Sequence, residues 1–166
     1  MRLLFVCTGN TCRSPMAEGL ASKILQRLKL TEKIDVFSAG IAALPGAPAS
    51  SEAHSVLFRQ GLDLSGHKAR QLTKEMINDA DLILTMTAAQ KQLLQEFFPD
   101  MAEKIFIVKE FAEHPQDMEG TNKYERFSYD IADPYGKSEA VYQQCAEELA
   151  QAIEKIFKNI QSSGSS

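Results

Sequence analysis

Leu3-Leu4-Phe5-Val6-Cys7-Thr8-Gly9-Asn10-Thr11-Cys12-Arg13-Ser14-Pro15 is the stretch that decides how this chain is read. Its first four residues form an unbroken apolar run, as expected of a strand buried on both faces. Ser14 followed by Pro15 reads as the N-cap and first position of a helix. Leu20, Ile24 and Leu28, with Ala17, Ala21 and Leu25 beside them, give that helix one apolar face. The residues between are therefore a loop that joins a strand to a helix N-terminus, and it is short enough to curl into a ring of inward-pointing N–H groups. Such a nest is a ready site for a dianion. Arg13 adds a planar fork matched to two phosphoryl oxygens. Cys7 puts a sulfur at the centre, where N–H groups and a helix end favour the thiolate. These are the parts that a cysteine-dependent phosphatase requires.

Working outward, residues 34–40 read as a second strand closed by Gly40, and 44–48 as a loop rich in proline and glycine. A helix beginning at Ser50 or Ser51 carries Ala53, Val56 and Leu57 and stops at Gly61. Residues 62–70 read as irregular, and Thr73 caps a short helix with Met76 and Ile77. Residues 81–86 make a third strand, followed by a helix that ends at Phe98 before Pro99. Residues 105–108 make a fourth strand. The stretch 109–137 has no clear period and is rich in charge, as in a functional loop. A last helix runs from about 138 to 160, with Cys145 on the same stripe as Val141, Leu149, Ile153 and Ile156. Strands alternating with helices predict an α/β fold: one domain over 1–160, a parallel sheet and helices on both faces. Residues 161–166 read as a flexible, low-complexity tail. In such sheets the site lies beyond the carboxyl ends of the strands, where Cys7 falls.

Bulk properties agree. With 166 residues, 44% hydrophobic and 24% charged, the chain fits one soluble globular domain. A net charge of −4 gives no general attraction to nucleic acid or anionic membrane, so neither is expected as a partner. Met1-Arg2 leads straight into a four-residue apolar run, which predicts no signal peptide and no membrane span. Three cysteines, an odd number, argue against a disulfide framework and for a reducing compartment, the cytoplasm. No metal site is expected, because Cys7 and Cys12 lack a second close pair and His54, His67 and His114 are scattered. No cofactor is expected, and a monomer is.

A thiolate attacking phosphorus is half a reaction. The leaving group must gain a proton, and a water must later lose one to split the cysteinyl-phosphate; one carboxyl can do both. Asp133 in Asp133-Pro134-Tyr135-Gly136 is the candidate, because proline stiffens the chain beside the acid. Asp117, Glu125 and Asp130 in the same stretch lack that setting.

These motifs, together with Ser38-Ala39-Gly40, Leu64-Ser65-Gly66-His67-Lys68-Ala69-Arg70-Gln71-Leu72 and Asp81-Leu82-Ile83-Leu84-Thr85-Met86, make the chain resemble the low-molecular-weight protein phosphatases over nearly its whole length. The resemblance implies a four-stranded parallel sheet in a flavodoxin-like three-layer fold and a phosphorylated protein as substrate. Carried over by position, it implies Cys7 as nucleophile, Arg13 as phosphate clamp and Asp133 as general acid. Thr8, Gly9, Asn10, Thr11, Cys12, Arg13 and Ser14 form the phosphate cradle. On the same resemblance, Asn10, Ser14 and His67 would support that loop, and Cys12 would be a redox partner for the nucleophile. Members acting on phosphotyrosine often carry bulky aliphatic residues where this chain has Thr8 and Thr11, and two tyrosines where it has Tyr135-Gly136. The loop is similar to a bacterial branch that includes protein-arginine phosphatases, so Thr11 and Tyr135 are expected to set specificity, with a lean to phosphoarginine over phosphotyrosine. Arsenate reductases use a similar loop but need further cysteines after the third strand, and residues 79–100 hold none. A non-catalytic phosphate-binding module would be expected to have lost the nucleophile or the acid.

Overall fold

The computed structural model describes residues 1–113 and 129–164. Four parallel strands form one sheet in the order β2-β1-β3-β4: β1 (Arg2–Cys7), β2 (Asp35–Gly40), β3 (Leu82–Thr85) and β4 (Ile105–Ile107). The helices are α1 (Arg13–Leu28), α2 (Ser51–Phe58), α3 (Lys74–Asp79), α4 (Ala88–Phe97), α5 (Val108–Glu113) and α6 (Glu139–Ser163). A 3-10 turn, Pro99–Lys104, links α4 to β4.

Leu3, Leu4, Phe5 and Val6 are all fully buried, because β1 is central and covered on both sides. The period-2 rule of a strand divides them. Leu3 and Phe5 pack with Leu20, Leu57, Leu149 and Phe157 from α1, α2 and α6. Leu4 and Val6 face the opposite layer, with Ile77 and Leu94 from α3 and α4. Side-chain caps start the helices where their residue types predict: Ser50 accepts from the Ala53 N–H, Thr73 from Met76 and Thr87 from Gln90.

Parallel register brings Cys7 level with Gly40 and Val6 level with Thr85, so three strand ends meet at one edge. The strand order reverses at β1, with β2 on one side and β3 on the other. A crevice opens at such a switch point.

Several expectations are corrected. The first helix starts at Arg13 with Cys12 as its N-cap residue and no side-chain cap, so Ser14 lies inside it. The Ser14 hydroxyl is taken by Cys7 and Asn10 instead. The stretch expected to be irregular from 109 opens with α5, which follows β4 without a linker. Its six residues are too few for a period to show, and Val108, Ala112 and Glu110 are buried. Glu110 is neutralised by Lys91 of α4 at 2.9 Å. The buried stripe of α6 runs through Tyr142, Cys145, Leu149 and Ile153, while Val141 is exposed. That helix continues to Ser163 and takes in part of the expected tail, whose last two residues lie outside the described residues. Asp117, Glu125 and His114 lie outside them as well.

Candidate active site

The loop after β1 is shaped by where its carbonyls go. Cys7 O accepts from the Ile41 N–H, Thr8 O from Ala42, and Thr11 O from Ser50, each at 2.9 Å. His67 Nε2 lies 2.7 Å from Asn10 O and donates to it, which places the hydrogen on that nitrogen. With the carbonyls tied outward, the opposite edges of the peptides face the interior of the ring. Gly40 allows the approach: a Cβ there would sit 2.7 Å from Thr8 O and 3.0 Å from Asn10 N.

Asn10 is the keystone. It is fully buried with φ at 55°, a left-handed conformation that asparagine tolerates better than most residues. Its Nδ2 donates to Ser14 Oγ at 2.8 Å and Ser38 Oγ at 3.0 Å, and its Oδ1 accepts from the Arg70 N–H at 2.9 Å. Ser38 Oγ passes its own hydrogen to Glu18, which also faces Arg70 at 3.7 Å. Since Ser14 Oγ accepts from Asn10, its hydrogen is free for Cys7 Sγ, 2.9 Å away. The Asn10 N–H also points at that sulfur, at 3.3 Å. Two donors therefore converge on a buried sulfur.

Arg13 is 5% exposed. Its Nη1 donates to Ile131 O at 3.0 Å, and its Nη2 lies 3.5 Å from Asp133 Oδ2. Asp133 stands half in solvent, its Oδ1 accepting from the Tyr135 N–H at 3.1 Å. Cys7, Thr8, Gly9, Thr11, Cys12 and Arg13 line a cavity of about 110 Å³, with Asp133 and Tyr135 on its rim. Larger cavities of about 350 and 310 Å³ lie elsewhere, and neither is lined by a cysteine. The structure thus brings the expected residues together, with Asn10, Ser14 and His67 behind the loop.

A description of low molecular weight phosphotyrosine protein phosphatases matches residues 2–166. The chain belongs to that family. It is 38% identical over 160 residues to a protein-arginine-phosphatase of Geobacillus stearothermophilus, with 96% of each chain covered. A low molecular weight protein tyrosine phosphatase from T. tengcongensis superimposes with a TM-score of 0.82 at 43% identity, over 96% of this chain and 99% of that one. An arginine phosphatase mutant with a phosphorylated active-site serine superimposes with a TM-score of 0.83 at 35% identity, over 97% of this chain and 96% of that one. The low-molecular-weight phosphatase described above is therefore an enzyme, a protein phosphatase. No helix among its described residues is long and apolar enough to cross a membrane.

Within this phosphatase fold, several contributors carry no local signal in the sequence. Gln90, 7% exposed, accepts from the Met86 N–H at 3.0 Å and donates Nε2 to Thr8 Oγ1 at 3.2 Å. Cys12 Sγ lies 3.3 Å from Tyr142 Oη and 3.5 Å from Ser50 Oγ. Burial, and then its bond to Cys12, hold the Tyr142 hydroxyl well above the usual tyrosine range. Burial likewise pushes the Cys145 thiol up to about 12, which makes it a neutral core residue. These partners are distant in sequence and ordinary in type, so only the fold connects them.

Proposed function

We propose that the chain hydrolyses protein phosphoarginine through a cysteinyl-phosphate on Cys7. The observation that carries this reading is the convergence of Ser14 Oγ and the Asn10 N–H on Cys7 Sγ, in the same small cavity that holds Arg13 and Asp133. In the first step the Cys7 thiolate attacks phosphorus. Arg13 and the ring of N–H groups bind the non-bridging oxygens of the phosphoryl group, with charge-assisted bonds that strengthen as negative charge develops. Asp133, protonated and released from Arg13 by the incoming dianion, gives its proton to the leaving nitrogen. In the second step the Asp133 carboxylate takes a proton from water, which attacks the cysteinyl-phosphate and frees inorganic phosphate.

The choice of phosphoarginine rests on the rim. A phosphorylated guanidinium brings N–H donors close to phosphorus, and Thr8 and Thr11 offer hydroxyls there. The Geobacillus relative named a protein-arginine-phosphatase supports it. Phosphotyrosine is the second reading, favoured by Tyr135, a residue 73% exposed at the rim and available to a flat aromatic substrate. The proposal further has the enzyme acting as a monomer in the cytoplasm on phosphorylated proteins. In it, Cys12 serves as the resolving thiol that condenses with an oxidised, sulfenic Cys7 and releases water.

Rates on phosphoarginine, phosphotyrosine and phosphoserine peptides, measured for wild type and Thr11→Ile, test the substrate. Wild type should prefer phosphoarginine. Thr11→Ile should lower that activity relative to phosphotyrosine by roughly ten- to two-hundred-fold, the scale of one unmade polar contact. Equal loss on both substrates would make Thr11 scaffolding and remove the case for phosphoarginine.

A further inference from the structure

We infer that Asp130 is the positioning residue of the acid loop: by accepting the first N–H of α4, its carboxylate sets Asp133 over Cys7. The inference rests on the reading of Asp133 as general acid. The chain from 130 to 133 is held at three places. Asp130 Oδ1 accepts from the Ala88 N–H at 2.7 Å, the Ile131 N–H donates to Met86 O at 2.9 Å, and Ile131 O accepts from Arg13 Nη1 at 3.0 Å. The last two bonds use backbone groups on the loop side and are open to any residue type. The first depends on the Asp130 side chain.

Ala88 is the first residue of α4, so its N–H has no partner inside the helix. The Thr87 hydroxyl is committed to the Gln90 N–H and leaves Ala88 to Asp130. A carboxylate at a helix N-terminus is favoured by the aligned peptide dipoles, and its bond to an N–H is charge-assisted. The same turn of α4 carries Gln90, whose amide holds Thr8 next to the nucleophile. One rigid element thus fixes both the cradle wall and the acid loop, and Asp130 is the link to the second. A general acid displaced by about 1 Å costs rate steeply, while the cradle, held by other bonds, keeps its affinity for phosphate.

The experiment compares Asp130→Ala, Asp130→Asn and Asp133→Asn on phenyl phosphate, a poor leaving group, and 2,4-dinitrophenyl phosphate, a good one. Asp130→Ala should lower kcat on phenyl phosphate by roughly ten- to a hundred-fold. It should change kcat on the dinitrophenyl ester by less than about three-fold and leave inhibition by inorganic phosphate intact, since good leaving groups depart without a proton. Asp130→Asn, which keeps an acceptor oxygen, should recover most of the loss. In the Asp133→Asn background, Asp130→Ala should add nothing, because a missing acid cannot be misplaced. Ala88→Pro provides a variant with all side chains of the loop intact. Proline is tolerated at a first helical position and Thr87 before it is already extended, so the change replaces the N–H by a ring carbon that also excludes the Asp130 carboxylate, and it should reproduce the leaving-group effect. Equal losses on both esters, or full additivity with Asp133→Asn, would overturn the assignment of Asp130. If Asp133→Asn itself shows no leaving-group dependence, the general-acid reading falls first and takes this one with it. If Asp133→Asn shows it and neither Asp130→Ala nor Ala88→Pro does, the inference about Asp130 alone is wrong.

Discussion

The floor of the phosphate cradle and the acid loop face the same cavity but are built in opposite ways. Asn10, Ser14 and Ser38 are fully buried, and among the described residues no buried side-chain nitrogen or oxygen lacks a hydrogen-bond partner. Asp133, by contrast, has 55% of its side chain in solvent and a 3.5 Å approach to Arg13, and Tyr135 beyond it is 73% exposed. A dianion entering the floor meets donors already aimed, at no cost of reorganisation during the reaction. In the proposed mechanism Asp133 exchanges protons with water, which its exposed carboxyl allows. Binding and proton transfer are therefore separable, and substitutions should fail in two distinct ways.

The largest expected effect is on the solvent side. Asp133→Asn should reduce turnover of poor leaving groups by roughly a hundred- to ten-thousand-fold while leaving the denaturation midpoint unchanged. A drop in stability of the same variant would break the comparison. On the floor, Asn10→Ala removes three side-chain bonds, to Ser14, Ser38 and the Arg70 N–H. It should cost about 2–4 kcal/mol by leaving buried partners unmatched, with activity falling by one common factor on all esters. Gly40→Ala forces a Cβ against Thr8 O and Asn10 N and should cost about 1–3 kcal/mol, again without leaving-group dependence. Urea unfolding alongside steady-state rates checks both.

Much of the site was legible because its signals are local. An apolar run into Cys7, a glycine-bearing loop and Arg13 define a strand, a nest and a candidate clamp within a dozen residues, and Asp133-Pro134 marks the proposed acid, which lines the same cavity. What was not legible depends on partners distant in the chain. Ser14 before proline has the form of a helix cap, but Asn10 and Cys7 compete for its hydroxyl and win. Asp130 lacks a neighbouring proline and is passed over beside Asp133, yet it reaches Ala88, 42 positions earlier. Gln90 sits in an ordinary helical sequence until the fold delivers Thr8 to it. On α6, Val141 and Tyr142 fit a helical stripe about equally well by period, and only packing behind Cys12 shows that the tyrosine turns inward.

An effect confined to alkaline pH sharpens how dry the wall behind the floor is. Burial raises the Cys145 thiol from its ordinary 9.0 to about 12 in the folded protein. The unfolded chain therefore loses this proton first, and the stability present below about pH 9 should decline as pH rises toward 12. Cys145→Ala should show a shallower alkaline loss than wild type in urea midpoints taken at intervals across that range. Identical slopes would mean that water reaches the thiol.

The central claim is that the phosphoryl group passes through Cys7, and rapid acid quench followed by peptide mass spectrometry tests it most directly. With 2,4-dinitrophenyl phosphate, which needs no proton to depart, Asp133→Asn should accumulate a phosphorylated peptide whose modification maps to Cys7, because the water that would cleave it has lost its base. The same peptide should be absent in Cys7→Ser/Asp133→Asn as a cysteinyl-phosphate. Steady turnover by a Cys7→Ala enzyme, or a phosphoryl group trapped on any residue other than Cys7 in Asp133→Asn, would contradict the account.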